Sequence, residues 1–204
     1  MNKTKNKYNL ANITNKIINS GFIIFTSKTL KEIFGVNNNP SFFSILNKMV
    51  DSNILIKLER GKYLLNIDRK EADKFFIANS LYSPSYISFE TALNFYGILP
   101  QFPYEITSAT VKKSVKKNID NVVYSYTHIK NSLFFGYEKK GNILIANPEK
   151  ALLDQIYLSL KGFKKIDIND YNLTNIKKTV LKEYFSKYPR IRQTKKMREI
   201  INKI

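Results

Sequence analysis

Cysteine and tryptophan are absent from this chain of 204 residues, and histidine occurs once. Without cysteine there is neither a disulfide framework nor a thiolate zinc site. That absence fits a cytoplasmic protein. Glycine and proline are scarce, at seven and six. No Gly-x-x-x-x-Gly-Lys loop is present to cradle a nucleotide phosphate, and no Gly-x-Ser-x-Gly elbow to carry a serine nucleophile. No apolar run is long enough to span a bilayer, and the N-terminus lacks a secretory pattern, so no membrane partner is expected. The one histidine, His128, ends a predicted strand with no second imidazole to join it. It reads as structural rather than as a base or ligand. No motif asks for a cofactor or a metal.

Acidic residues are also few: 16, against 34 Lys and Arg, for a net charge of +18. The apolar fraction of 43%, with 13% aromatic, is enough for a packed core and excludes a disordered polycation. The charge is segregated. Residues 1–67 carry 10 basic and 3 acidic side chains, and residues 161–204 carry 13 and 4. The middle is close to neutral, with 11 and 9. A codon bias that favours Lys over Arg would not segregate charge in this way. Two basic ends point to a polyanionic partner, with double-stranded DNA first and RNA second.

Hydrophobic spacing divides residues 8–67 into helix, short strand, helix, turn, helix and hairpin. Leu10, Ile13, Ile17 and Ile18 mark the first helix, and Gly21 ends it. Phe22 to Phe25 reads as a strand. Thr26, Ser27 and a Thr29-x-x-Glu32 box compete for the start of the second helix, which Gly35 closes. Asn37-Asn38-Asn39-Pro40 then precedes the third, with Asn39 read as N-cap and Pro40 as the first helical residue. With Ser41 at zero on a helical wheel, Phe42, Phe43, Ile45, Leu46, Met49 and Val50 span about 40° to 200° and are read as the core face. Ser41, Ser44, Asn47, Lys48 and Asp51 fill the remaining arc. A hairpin follows, turning at Glu59-Arg60-Gly61-Lys62.

This order predicts a winged helix–turn–helix over residues 1–67. Residues 68–204 form a second, α+β domain with an antiparallel sheet, in which residues 161–204 make a basic helical tail. Expected strands are 105–111, 122–129, 133–138 and 143–146, with a turn at 139–142. Expected helices are 71–81, 89–96 and 149–160, followed by two tail helices after Leu173 and after Pro189.

In a winged helix–turn–helix the third helix enters the major groove. Asn38, Asn39, Ser41, Ser44 and Lys48 are therefore candidates for base edges, since Asn amides pair bidentately with adenine. Lys28, Lys31, Lys57, Arg60 and Lys62 are candidates for phosphates, with Arg60 and Lys62 at the wing tip. Two further basic clusters, Lys112-Lys113 with Lys116-Lys117 and the tail set Arg190, Arg192, Lys195, Lys196 and Arg198, offer polyanion or partner surfaces. One competing pattern is Asp120 with Glu138 and Lys140. It has the outline of a metal-dependent nuclease, in which carboxylates on two strands hold Mg²⁺ and a Lys stabilises charge. A solvated turn at Lys139-Lys140 is the simpler reading.

Several stretches together resemble AbiEi-type antitoxins. They are Tyr86 to Ile98, Ile106 to Thr110, Phe134 to Glu138 and, above all, Ala146-Asn147-Pro148-Glu149-Lys150-Ala151-Leu152-Leu153-Asp154. With the N-terminal winged helix the resemblance covers roughly residues 8–160. It implies a transcriptional repressor of its own operon, binding inverted operator repeats. It also implies the antitoxin of a type IV toxin–antitoxin, or abortive-infection, system, hence a phage-defence role. The partner would be a nucleotidyltransferase toxin, countered without a required stable complex. The protein is then not an enzyme. Pro148, Glu149 and Leu152-Leu153 also suit a purely structural helix start.

Overall fold

The computed structural model describes residues 9–66, 71–162, 166–189 and 192–204, with backbone only for 71–73, 192 and 193. The chain divides into two units, Met1–Arg69 and Lys70–Ile204. Both are α+β, and among the described residues no helix is long and apolar enough to cross a membrane.

The first unit holds three helices, α1 (Leu10–Asn19), α2 (Ser27–Phe34) and α3 (Asn39–Asp51). Strands β1 (Ile24–Thr26), β2 (Leu55–Glu59) and β3 (Lys62–Leu65) form an antiparallel sheet in the order β1-β3-β2. Local chemistry sets the helix ends. Asn9 accepts from the Ala11 and Asn12 amides to start α1. The Thr26 hydroxyl accepts from the Thr29 amide, so α2 begins a turn before the Thr29–Glu32 box. Gly35 leaves α2 in the left-handed region at φ 64°, which a side chain would resist. Asn38, rather than Asn39, caps α3, its Oδ1 taking the Ser41 amide at 2.8 Å. One core unites the helices with the sheet, through Ile13, Ile17, Phe25, Leu30, Phe34, Phe42, Leu46, Met49, Leu55 and Leu65.

The second unit is built on a six-stranded sheet in the order β6-β7-β5-β4-β9-β8. Its strands are β4 (Ser85–Ile87), β5 (Glu105–Thr110), β6 (Val115–Ile119), β7 (Val122–His128), β8 (Tyr137–Lys140) and β9 (Ile143–Ala146). The sheet is mixed, which corrects the antiparallel expectation: β5 pairs with β7, and β4 with β9, in parallel. Two strands missing from the sequence reading cause this. β4 is only three residues long, and β6 is an edge strand in which exposed Lys116 and Asn118 alternate with half-buried Val115, Lys117 and Ile119. The expected strand 133–138 is instead a 3₁₀ turn at Asn131–Leu133 and a loop, so β8 begins at Tyr137 and carries Lys139 and Lys140 within it.

Helices α4 (Glu71–Leu81), α5 (Phe89–Phe95) and α6 (Pro148–Leu160) cover the sheet. Tyr126 donates to the Ala78 carbonyl of α4, whereas Tyr86 donates to Asp154 of α6. Tyr126 pairs with Ser108 and Tyr86 with Ala109, neighbours on β5 that point to opposite faces. The sheet therefore carries α4 on one face and α6 on the other. Burial on both faces explains why β5 shows no polar alternation and is buried from Ile106 to Thr110. Helices α7 (Lys178–Ser186) and α8 (Arg192–Ile201) pack on α6.

Candidate nucleic-acid interface

Helix α3 presents one continuous exposed stripe. Pro40, Phe43, Ser44, Asn47, Lys48 and Asp51 are all exposed, at spacings of three and four. Ser41 is half-buried. Ser44 and Lys48 therefore lie where the sequence reading put them. Phe43 does not: the core face ends short of it and leaves it 52% exposed, while Phe42 is 3% exposed. The wheel explains the correction, since Phe43 falls at the rim of the apolar arc, at about 200°, next to Asn47 at about 240°. Its ring lies edge-on to Phe42, with centroids 5.2 Å apart.

The asparagines before the helix are less available than their number implies. Asn38 spends its carbonyl oxygen on the cap. Asn39 accepts from Lys31 Nζ at 2.9 Å, which fixes a cation beside the first turn of α3. Asn37 is exposed. The amide that stands open in the middle of the stripe is Asn47, a residue the sequence reading placed on the polar arc but did not single out.

Among the phosphate candidates, Lys28 on α2, Lys57 on β2 and Arg60 in the β2–β3 turn are exposed. Lys62 opens β3 and pairs with Glu59 at 2.8 Å across the turn, whereas Arg60 within the turn is exposed. Gly61, at φ 78°, supplies the left-handed residue that this short turn needs.

The second unit places its candidates apart. Asp120 and Asn121, both at positive φ, form the β6–β7 hairpin turn. Glu138 lies on β8, four strand spacings from β7 across the sheet, or about 19 Å at the usual strand separation. A shared Mg²⁺ requires oxygens about 2 Å from one ion, so this pair does not form a nuclease centre. Glu138 instead pairs with Lys140 at 3.3 Å. His128 is exposed, with Nδ1 3.0 Å from the Lys112 carbonyl oxygen. Among the described residues no three His, Asp or Glu side chains stand together as a metal site.

Within the lysine cluster of residues 112–117, Lys113 is exposed and the other three have partners. Lys112 donates to the Ser83 carbonyl, Lys116 pairs with Glu105, and Lys117 donates to the Leu81 carbonyl at 3.0 Å. Of the tail set, Arg190 lies outside the described residues, and so does the side chain of Arg192. Lys195, Lys196 and Arg198 are exposed on α8, and Arg198 lies over the Phe185 ring at 5.8 Å. Arg198 and Lys182 border a cleft of about 300 Å³ between α7 and α8.

The stretch Pro148 to Asp154 opens α6 inside the core. Glu149 is buried and accepts from the Lys177 amide at 2.9 Å, tying α6 to the start of α7. Lys150 pairs with Asp154 one turn on. Asp154 also accepts from Tyr86 at 3.0 Å, Ser88 at 2.9 Å and Tyr188 at 3.2 Å. The Ser88 hydroxyl is thus committed to Asp154 and makes no cap bond to α5. Burial, and then the charge of Asp154, hold the Tyr86 and Tyr188 phenols well above their usual range. Burial pulls the Lys150 ammonium down, against the opposing pull of Asp154. These residues are buried and act as a polar bolt joining β4, α6 and the end of α7.

A scan against protein-family models finds no match for this chain, and a search of curated proteins finds none.

Proposed function

We propose that this protein is a sequence-specific DNA-binding repressor of the winged helix–turn–helix type, with α2 and α3 as the helix pair and the β2–β3 hairpin as the wing. The observation that carries the reading is the exposed stripe of α3. Ser44, Asn47 and Lys48 offer hydrogen-bonding groups to base edges, Lys31 lies beside the first turn of α3, and Lys28, Lys57 and Arg60 add exposed positive charge on the same unit. Such a layout suits a helix lying in the major groove with its neighbours on phosphates. Asp51, at the far end of the helix, is the one acid of the stripe.

The partner is the protein's own operator, bound as inverted repeats. The resemblance of the second unit to AbiEi-type antitoxins supports a further role in the cytoplasm, as antitoxin to a nucleotidyltransferase toxin. In that role Lys195, Lys196 and Arg198 of α8 are the surface for a polyanion, RNA included, or for the toxin. The separation of Asp120 from Glu138 disfavours the nuclease reading.

The test is a mobility-shift titration against promoter DNA, with random duplex as competitor. Ser44→Glu with Lys48→Glu should weaken specific binding by about 100-fold or more, through lost contacts and like-charge repulsion. Undiminished specific binding by that double variant would remove α3 as the reading helix. Co-expression with a nucleotidyltransferase encoded beside the gene tests the antitoxin role, since rescue of growth should follow.

A further inference from the structure

We infer that Phe43 reads the 5-methyl group of a thymine in the bound duplex, so that α3 selects A·T pairs by an apolar contact as well as by hydrogen bonds. The inference rests on the reading of α3 as a major-groove helix. It starts from an anomaly: a large aromatic side chain, 52% exposed, at the edge of the exposed stripe of α3 and beside Asn47.

Phe43 is held rather than loose. Phe34, Phe42 and Phe43 form a row of rings from the core to the surface, with centroid separations of 5.6 Å and then 5.2 Å. The first two rings are buried, so the third rests on a rigid base and gains little by turning inward. Its exposed neighbours about one turn to either side are Asn39, Pro40 and Asn47, and Lys31 is bonded to Asn39.

The stripe that carries the ring also carries Ser44, Asn47 and Lys48, hydrogen-bonding groups and a cation that suit a polyanion with polar base edges. In the major groove the one apolar group a base pair offers is the thymine methyl. The adenine of an adjacent pair would then lie within reach of the open Asn47 amide, since residues one turn apart on a helix face are about 6 Å apart and stacked pairs are closer still.

The experiment uses the full-length protein and a duplex enriched by it from a pool of random sequences. Each thymine of that duplex is replaced in turn by deoxyuridine, which removes the methyl and nothing else. Wild-type protein should lose about four-fold in affinity at one or two positions, the worth of one buried methyl-sized group. Phe43→Ala should bind the parent duplex more weakly and show no penalty for deoxyuridine there, while Phe43→Leu should keep part of it. A wild-type protein indifferent to every replacement, or a Phe43→Ala protein that keeps the full penalty, overturns the inference while leaving DNA binding standing. So does a Phe43→Ala change confined to self-association by sedimentation, which would make the ring a contact between copies. Failure to enrich any sequence instead brings down the DNA-binding reading itself.

Discussion

Lys150 and Asp154 form an ion pair one helical turn apart with both side chains withdrawn from solvent, at 0% and 1% exposure. Asp154 is the hub: besides Lys150 it accepts from Tyr86, Ser88 and Tyr188. The two halves of the pair are therefore unequal. Lys150→Met leaves the anion three hydroxyl donors and should cost about 3–5 kcal/mol, the usual range for breaking a buried pair. Asp154→Leu leaves a buried ammonium and three hydroxyls without their acceptor and should cost more. Urea unfolding of the two variants checks the order.

The same network predicts an alkaline limit. Tyr86 and Tyr188 keep their protons in the folded state to a higher pH than the unfolded value near 10. Above about pH 10 the unfolded chain releases protons that the native state retains, so their contribution is full below that pH and falls as pH rises beyond it. Lys150 runs the other way, because its lowered folded value makes the cost of burying its charge fade as pH approaches that of free lysine. Tyr188→Phe should be less stable at neutral pH and show a shallower decline above pH 10. Unfolding midpoints across that range measure both.

Asn38 and Asn47 separate capping from recognition. Asn38→Ala removes the cap of α3 and should cost about 1 kcal/mol of stability while sparing sequence preference. Asn47→Ala touches no structural bond of the described residues. It should leave stability within about 0.5 kcal/mol and weaken specific binding by about 1–3 kcal/mol. Thermal melts and operator titrations of the same two proteins decide it.

Lys57 and Arg60 carry no base information in this reading. Replacing either by Ala should weaken specific and random duplexes alike and lower the slope of log K against log salt by about one. A change in sequence preference would instead place that residue at a base edge.

Gly136 lies at φ +69°, and a methyl group there would stand 3.0 Å from the Tyr184 ring and 3.1 Å from the Lys150 stem. Gly136→Ala meets both penalties and should cost about 1–3 kcal/mol. Loosened docking of α7 should accompany it, seen as faster amide exchange over 178–186.

The chain's own letters determined the helices with clear caps and stripes, the β2–β3 hairpin and the two basic ends. Those features depend on spacing, short-range hydrogen bonds and formal charge, all of which are local. What a side chain faces is not local. Phe43 sits at the rim of its apolar arc, and only the packing of α3 on its neighbours left it outside. Asn39 read as the cap and Asn38 as an outward amide, until Asn38 took the cap and a lysine from α2 bonded to Asn39. Within the Lys112–Lys117 cluster, distant carbonyls bind Lys112 and Lys117, Glu105 pairs with Lys116, and Lys113 stays exposed. The parallel pairs of the sheet came from two strands that the spacing did not show, the three-residue β4 and the edge strand β6. The anion at Asp154 found its three hydroxyl donors 34 to 68 residues away in sequence. Tertiary structure decided those points, because burial and hydrogen-bond partners are set by segments that the chain brings together only when it folds.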